Sequence, residues 1–484
     1  MNMDRSTALL QSINHFVVVM LENRSFDHML GFLYADRGNK SPLGQPFEGL
    51  TGNETNPDGK GGKVKVFQIR STNPHPYFMP GANLGEGYLN TNSQLFGTPQ
   101  APSPIVPATN QGFVTNFAYT LQWESQKQNQ VMPGTTPAQV MGMYTPATLP
   151  ILSTLASGYA VCDHWFASAP TETIPNRAFV AMATSQGLVT DKTKSAFTAP
   201  SIYALLGKTG KSWAIYGYDA PPLARGSIAD IMSAPPSHFG QFADFKKAVK
   251  QGTLANYVSL EPQWGPQGNS QHPNYDVAKG EQFLHDVYYT LFGSSLWKQT
   301  LLIITYDEHG GCYDHVPPPA NAVAPDGSTG ELGFDFKRFG VRVPTVLVSP
   351  LITAGTVYRA AGPTPFDHTS ILATVEKRFG LASLTKRDAA APDCGGVLTL
   401  AQARSDDPLK GVKVPSNGKQ PKPPKGPSHL ELKLAESAEN LPVSDRPGAG
   451  YHHEMPPLRS SADVLKYVRA RHRAYDRKLT TMKG

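Results

Sequence analysis

Cysteine, long apolar runs and charged residues are all scarce in this chain. Three cysteines, Cys162, Cys312 and Cys394, are spread over 484 residues without a C-x-x-C spacing. This pattern excludes a dense disulfide framework and a structural zinc site, although one pair could still be bonded. No segment reaches the roughly 18 apolar residues of a membrane-spanning helix. We therefore expect a globular protein stabilised by its own core, without a transmembrane segment.

Excess positive charge is small and lies mainly towards the C-terminus. The formal net charge is +6, and several lysines fall between residues 410 and 425. No basic stripe interleaved with aromatic residues, zinc finger or RNA-recognition signature accompanies them, so we expect no nucleic-acid partner. The basic tail would suit an anionic lipid surface, which leaves room for peripheral membrane contact.

Glycine and proline are abundant instead, with 44 and 43 residues, which favours turns and long ordered loops. We expect one large domain over residues 1–400, in which residues 40–148 form a loop-rich insertion above the sheet. A Lys/Pro-rich linker is predicted at residues 401–430. Residues 431–484 then form a C-terminal extension that carries a basic helix at 462–479.

Short apolar runs alternate with segments of helical periodicity, which is typical of an α/β protein with a doubly wound sheet. Strands are predicted at residues 16–21, 159–162, 212–216, 301–306 and 345–349. Helices are predicted at residues 149–155, 176–185, 280–291 and 369–379.

Two of the predicted strands end abruptly in acidic residues. Glu22 and Asn23 follow the run at 16–21, and Asp307 and Glu308 follow the run at 301–306. Because the carboxyl ends of parallel strands meet at one rim of a sheet, we expect these side chains to converge. Carboxylate and amide oxygens suit a divalent cation. Taken alone, Glu22-Asn23 could also be a capping turn.

A hydroxyl-rich segment at residues 171–177, Thr-Glu-Thr-Ile-Pro-Asn-Arg, precedes the helix predicted at 176–185. The backbone N–H groups at a helix N-terminus favour an anion such as phosphate. Arg177 could grip phosphoryl oxygens or brace the loop. A threonine shortly before a proline is also an ordinary helix entrance, so this segment is ambiguous by itself.

Together these segments resemble the signatures of a known family, the bacterial phospholipase C and acid phosphatase family of phosphoesterases. The matching segments are 22–28 (ENRSFDH), 173–177 (TIPNR), 261–262 (EP), 272–277 (HPNYDV), 280–281 (GE), 306–311 (YDEHGG) and 367–370 (DHTS). The resemblance spans about residues 16–379. It implies an alkaline phosphatase-like fold, with a central mixed or parallel sheet, helices on both faces and long loop insertions.

The resemblance also implies a bound divalent metal ion, which could be calcium, magnesium, manganese or zinc. Its ligands would be Glu22, Asn23, Asp307, Glu308 and Thr173. His309, Asp367 and His368 would surround these ligands, although His368 could itself bind the metal or cap its helix. A histidine close by, His309, His315 or His368, would admit zinc or iron.

Family members use a Ser or Thr nucleophile, and the matching position is Thr173. His272 and His75 would contact the substrate, and one or the other would protonate the leaving alcohol. The metal, with Arg177 or the helix terminus, would spread the phosphoryl charge. Several family members have a small pair directly before the nucleophile, where this chain has Thr171-Glu172. Thr171 is therefore a rival nucleophile, and Glu172 could perturb the site. The related sulfatases have Cys or Ser at the position of Thr173, so sulfatase activity is set aside.

The resemblance implies hydrolysis of phosphate esters through a phosphothreonine intermediate. Since no clear apolar amphipathic surface helix is visible, we expect soluble phosphomonoesters, as for an acid phosphatase, with phospholipase C activity on phospholipid diesters as the alternative. Two other classes stay open. One is a hydrolase that uses an activated water, and the other is a non-catalytic binding protein stabilised by its metal.

The sequence gives two opposing indications of where the protein is located. The family resemblance implies a periplasmic or secreted protein. Residues 1–14 contain no apolar signal region, which keeps a cytoplasmic location open.

Overall fold

The computed structural model describes residues 5–126, 131–193, 195–417, 426–443 and 455–481. Its strands are β1 (His15–Leu21), β2 (Thr55–Pro57), β3 (Lys63–Lys65), β4 (Phe67–Gln68), β5 (Gly142–Met143), β6 (Ala160–Val161), β7 (Trp165–Phe166), β8 (Trp213–Gly217), β9 (Phe239–Gln241), β10 (Tyr257–Glu261), β11 (Thr300–Tyr306), β12 (Val346–Val348), β13 (Thr356–Val357) and β14 (Phe366–Asp367). Its α-helices are α1 (Arg5–Ser12), α2 (Phe26–Leu30), α3 (Tyr88–Phe96), α4 (Phe113–Gln126), α5 (Pro150–Gly158), α6 (Thr173–Met182), α7 (Ile202–Lys208), α8 (Leu223–Ser227), α9 (Phe242–Gln251), α10 (Val277–Leu291), α11 (Thr369–Phe379), α12 (Lys386–Ala390), α13 (His429–Glu439) and α14 (Ser461–Thr481).

Eight strands form the central sheet, in the order β13-β6-β12-β11-β1-β10-β8-β9. β1 lies between β10 and β11 and is parallel to both. β12 is antiparallel to its two neighbours, β11 and β6. All seven residues of β11 are buried although successive side chains point to opposite faces, so both faces of the sheet are covered. The predicted α/β class with a largely parallel central sheet is confirmed.

Every predicted strand and helix has an observed counterpart with bounds within three residues. The structure adds β10, a central strand that the sequence pattern did not predict. It also contains α3 and α4 within residues 40–148, where we predicted loops, together with the short strands β2 to β5. The insertion is therefore more regular than its composition suggests.

The C-terminal extension packs against the rest of the chain. Gly226 in α8 lies so close to α13 that a Cβ atom there would be 2.0 Å from the Ser437 carbonyl oxygen. The buried Arg225 of α8 forms an ion pair with Asp476 of α14. Residues 418–425 of the predicted linker lie outside the described residues, and the division of the chain at residues 400 and 430 stays a prediction.

The cysteines and the helix lengths agree with a chain that has neither disulfides nor a membrane-spanning helix within the described residues. Cys162, Cys312 and Cys394 are buried and free, so none of them forms the disulfide that the sequence left open. Across the described ranges, no helix is both long and apolar enough to cross a membrane.

Candidate active site

The two acidic strand ends lie side by side at one rim of the sheet. β1 and β11 are parallel neighbours, with Leu21 opposite Tyr306. The residues that follow, Glu22 and Asp307, therefore leave the sheet at the same level. This is the juxtaposition that the sequence predicted.

A backbone contact locks the two ends together. Asn23 adopts a left-handed conformation, with φ of 57°, and its N–H donates to Asp307 Oδ1 over 2.9 Å. Gly310 packs directly on Asn23, because a Cβ atom at residue 310 would lie 2.1 Å from the Asn23 carbonyl oxygen. With φ of 61°, Gly310 also has a conformation that other residues rarely adopt.

Thr173 is the first residue of α6, three residues before the predicted helix start. Its Oγ1 donates to the side-chain oxygen of Asn23 over 3.1 Å, so the hydroxyl faces the acidic rim. The hydroxyl of Thr171 instead accepts from Asn176 Nδ2 over 3.2 Å, within its own loop. The geometry therefore favours Thr173 over Thr171 as the hydroxyl of the site.

Arg177 is bound to the rim rather than free. Its Nη2 lies 2.9 Å from Asp307 Oδ2, and it also donates to the carbonyl oxygens of Met20 and Leu21. The guanidinium lies over the Trp264 ring, 4.7 Å from the centroid. Of the two roles that the sequence left open for Arg177, this geometry favours bracing.

Two buried acidic side chains at the rim have oxygens without partners. Among the described residues, neither carboxylate oxygen of Glu22 nor Oε1 of Glu308 has a hydrogen-bond partner, and each residue is 1% exposed. Burial, together with the charge of Asp307, raises the pKa of Glu22 to about 8. Burial also raises the pKa of Glu308 well above its usual range, assisted by Glu86 and Asp307. Buried acidic oxygens without partners are costly, and a divalent cation would satisfy them.

A second acidic group lies elsewhere and is already balanced by cations. Asp27, Asp314 and His315 are the one trio in the described ranges whose Asp, Glu, His or Cys ligand atoms lie within 4.8 Å of one another. Arg342 lies 2.9 Å from both Asp27 and Asp314. Burial opposes protonation of His315, but Asp27 at 2.7 Å raises its pKa to about 9. His315 thus belongs to this group rather than to the rim.

Two of the predicted surrounding histidines contact the acidic rim directly. His309 Nδ1 lies 3.1 Å from Glu308 Oε2, and its Nε2 is 2.7 Å from Gln94 Oε1. His368 Nε2 is 2.7 Å from the Asp307 carbonyl oxygen, and its side chain does not cap α11. Burial lowers the pKa of His309 to about 3 and that of His368 to about 4, so both rings are neutral at pH 7.

Asp367 lies one step further from the rim. Its carboxylate pairs with the buried Arg387 at 3.0 Å and accepts from the Thr369 hydroxyl. These partners tie Asp367 to α12 and to the start of α11, so it fixes the segment that carries His368.

His272 faces a carboxyl group that the sequence did not single out. Glu86 accepts from the side-chain amide of Asn23, and its Oε2 lies 3.9 Å from His272 Nε2. Burial raises the pKa of Glu86 well above its usual range, and the charges of Asp191 and Glu172 add to this effect. Burial lowers the pKa of His272 to about 3. Burial thus favours the neutral form of both side chains.

Arg24 holds the two histidine-bearing loops together. Its buried guanidinium donates to the carbonyl oxygens of Gln271, His272 and Met79, over 2.6, 3.1 and 2.7 Å. The side chain of His75 makes no hydrogen bond or ion pair within the described part of the chain. The predicted substrate contact of His75 stays a prediction. Arg24 fixes the Met79 end of the His75 loop close to His272.

Two further acidic residues, Asp191 and Glu172, lie at the start of α6. Asp191 Oδ1 accepts from the N–H of Ile174 over 2.7 Å, and the N–H of Asp191 donates to Glu172. Burial, with the charge of Asp191, raises the pKa of Glu172 to about 7. Glu86 and Asp191 lie in loops without a local motif, so no sequence signal points to them. Arg24 was within reach, because it directly follows the Glu22-Asn23 pair in a matching segment.

Comparisons with known proteins show the family to which the chain belongs. The model of the "Phosphoesterase family" matches residues 13–382. "Non-specific phospholipase C1" of Arabidopsis thaliana is 37% identical over 399 residues, which cover 78% of this chain and 69% of the relative. "Phospholipase C B" of Mycobacterium tuberculosis is 27% identical, over 81% of this chain and 78% of the relative. A solved protein in the alkaline phosphatase superfamily from Vibrio parahaemolyticus aligns with 50% of this chain and 64% of its own, at 18% identity and a TM-score of 0.30, too weak a likeness to carry weight. The chain belongs to the phosphoesterase family and is a hydrolase acting on phosphate ester bonds.

Proposed function

We propose that this enzyme is a phospholipase C that cleaves phospholipid phosphodiesters with Thr173 as its nucleophile. The observation that carries the proposal is the Thr173 hydroxyl, held 3.1 Å from Asn23 Oδ1 beside the buried acidic rim. A hydroxyl at a helix start, next to unpartnered carboxylate oxygens, is suited to become an activated nucleophile. Since the chain is a hydrolase, the non-catalytic alternative is set aside.

The acidic rim fits a divalent cation, because its donors are all oxygens and three of the acidic ones have no partner among the described residues. A cation held by Glu22, Asn23, Asp307 and Glu308 would lower the pKa of the Thr173 hydroxyl and offset negative charge on the phosphoryl oxygens. His309, His368 and Arg177 would orient these ligands through the contacts described above.

The reaction proceeds in two displacements. Thr173 Oγ1 loses its proton to solvent and attacks phosphorus as the bond from phosphorus to the glycerol oxygen breaks, and the leaving oxygen takes a proton. We assign that proton to the Glu86 and His272 pair, because burial and the neighbouring acids raise the pKa of Glu86 and the two side chains lie 3.9 Å apart. Water then attacks the phosphothreonine diester and returns a proton to the Glu86 and His272 pair. The bond to Thr173 breaks, the Thr173 oxygen regains its proton from solvent, and the phosphorylated head group leaves.

The charges of the site favour a diester over the monoester that the sequence first suggested. A phosphomonoester carries close to two negative charges at pH 7, whereas a diester carries one. Asp191 and Glu172 flank the start of α6, and Arg177 of the same helix is engaged by Asp307. The relatives named above are phospholipases C, which supports the same choice.

A direct comparison of two chromogenic esters tests this proposal. We expect kcat/KM for p-nitrophenylphosphorylcholine to exceed that for p-nitrophenyl phosphate by at least about tenfold, and both to fall on chelation and return with added cation. A preference for the monoester would make the enzyme a phosphatase. Turnover without a trappable phospho-enzyme would favour the activated-water alternative.

A further inference from the structure

The first residues of α13, at the end of the predicted linker and just before the C-terminal extension, lie at the active site. Ser428, the N-cap of α13, donates from Oγ to the Trp264 carbonyl oxygen over 2.7 Å. The Trp264 ring lies beneath Arg177, which pairs with Asp307 at the rim. The family match ends at residue 382, so these contacts come from a part of the chain outside it.

The next residue, His429, reaches the nucleophile loop. Its Nε2 lies 3.0 Å from Asp191 Oδ2, while Asp191 Oδ1 accepts from the Ile174 N–H over 2.7 Å. Asp191 is 2% exposed, and it is the side chain that caps the start of α6. The N-cap residue, Glu172, makes no side-chain cap bond. Asp191, 17 residues after Ile174, supplies the acceptor for the Ile174 N–H instead.

His429 is held by a rigid support. Ser428 and Glu431 form a capping box at the start of α13, and Glu431 also accepts from the Ser461 hydroxyl of α14 over 2.9 Å. The close approach of α13 to Gly226 fixes the other end of the helix on α8. A side chain on such a supported helix start can fix the position of its partner closely.

We propose that His429 is a positioning residue for Thr173, so that the start of α13 completes the active site. The inference rests on the proposed role of Thr173 as nucleophile. Asp191 lies among further acids, Glu172 and Glu86, and His429 supplies the donor that pairs with its carboxylate while that carboxylate accepts from Ile174. Without this donor the cap of α6 loosens at the residue next to Thr173. Displacements of about 1 Å at a reacting group cost up to about 100-fold in rate.

The test uses the full chain with three substitutions of His429 and one control. His429→Leu removes the donor, His429→Asn keeps an amide that is too short to reach Asp191, and His429→Gln places an amide nitrogen near the position of Nε2. The control is His285→Gln on α10, because the side chain of His285 pairs only with neighbouring Asp286 and lies against Tyr289.

With p-nitrophenylphosphorylcholine, we expect kcat to fall about 10- to 100-fold in His429→Leu and His429→Asn, with KM changed less than threefold. His429→Gln should recover most of the loss, and the control should match the wild type. A kcat within twofold of wild type in both the Leu and Asn variants, or an equal loss in the Gln variant, overturns the proposal. His429→Asn decides the matter if the leucine variant fails to fold.

Hydrogen exchange separates this inference from the proposed function. Mass spectrometry of the peptide that contains Ile174 should show faster amide exchange in His429→Leu and His429→Asn than in the wild type or in His285→Gln. Unchanged exchange overturns the link from His429 to α6. If the wild type hydrolyses no phosphoester, the proposed function fails, while faster exchange still supports the link.

Discussion

The hydroxyl of Thr173 lies 3.1 Å from the side-chain oxygen of Asn23, although 150 residues separate them in the chain. The contact joins the start of α6 to the end of β1. Because Asn23 also donates its backbone N–H to Asp307, the nucleophile candidate is linked to both acidic strand ends through a single residue. The position of Asn23 therefore determines whether the hydroxyl and the carboxylates form one site.

Replacing Thr173 with alanine should abolish turnover while leaving the fold intact, because in the proposed mechanism this hydroxyl forms the covalent bond to phosphorus. We expect kcat to fall at least about 1,000-fold, with an unchanged melting temperature and unchanged metal content. Thr171→Ala is the matched control, since its hydroxyl is bonded to Asn176, and it should retain activity within about tenfold. Loss of activity in Thr171→Ala with retention in Thr173→Ala would exchange the two roles.

Two substitutions of Glu86 should separate its support of Asn23 from its proton. Glu86→Gln keeps an acceptor for the Asn23 amide but has no acidic proton, whereas Glu86→Leu loses both. For a phospholipid, whose leaving alcohol needs a proton, we expect Glu86→Gln to lower kcat about 100-fold. For p-nitrophenylphosphorylcholine, whose leaving group is a stable anion, the same variant should stay within about fivefold.

Metal affinity provides the second readout for Glu86. Calorimetric titration with Mg²⁺, Mn²⁺ or Ca²⁺ should give similar affinities for the wild type and Glu86→Gln. The affinity should be lower in Glu86→Leu, because Asn23 is no longer held. An equal loss of kcat on both esters in Glu86→Gln would show that Glu86 does not supply the proton.

Much of the fold follows from short-range sequence patterns. β1 and β11 are apolar runs bounded by polar residues. Such continuous runs are expected because both faces of the sheet are buried. β10 was not predicted because two of its five residues, Ser259 and Glu261, are polar and interrupt the apolar run. Its place beside β1 is set by sheet pairing rather than by its own sequence. α3 and α4 escaped because the Gly- and Pro-rich segments around them conceal their periodicity.

The residues of the site likewise include some that the sequence predicted and some that it did not. The convergence of Glu22 and Asp307 was predictable because each directly follows a strand, where topology fixes the position of a side chain. Thr173 was singled out by the family resemblance, since the helix was predicted to begin at residue 176. Glu86 and His429 were not predictable, since their places depend on how loops and the C-terminal extension return to the rim. Contacts such as that of His429 with Asp191, 238 residues apart, leave no local pattern.

The pH dependence of metal binding should follow the protonation of Glu22. In the metal-free protein, burial and the charge of Asp307 raise the pKa of Glu22 to about 8 from an ordinary value of 4.5. A cation binds the ionised form, so below about pH 8 it must displace a proton, and affinity should weaken by up to about tenfold per pH unit. Titrations of the cation at pH 6, 7 and 8 measure this slope, and Glu22→Gln should abolish tight binding.

Stability of the metal-free protein should change in the opposite direction. Between about pH 4.5 and 8 the folded state binds the Glu22 proton and the unfolded state does not, so the free energy of unfolding falls as the pH rises. The gain in melting temperature on adding a cation should therefore be larger at pH 8 than at pH 5. A gain that is the same at both values would contradict a raised pKa for Glu22.

Gly310 should tolerate no side chain, because it has positive φ and lies against Asn23. A Cβ atom there would lie 2.1 Å from the Asn23 carbonyl oxygen, so Gly310→Ala must displace the backbone that carries the rim. We expect a loss of at least about 3 kcal/mol in the free energy of unfolding, or weakened metal binding if the loop yields. Gly97→Ala is the control, since Gly97 also has positive φ, at 78°, but a Cβ atom there meets nothing within 4 Å. Its cost should be only about 1 kcal/mol, the backbone strain alone. Equal effects of the two substitutions in urea unfolding would mean that backbone conformation, rather than contact with Asn23, fixes the glycine at residue 310.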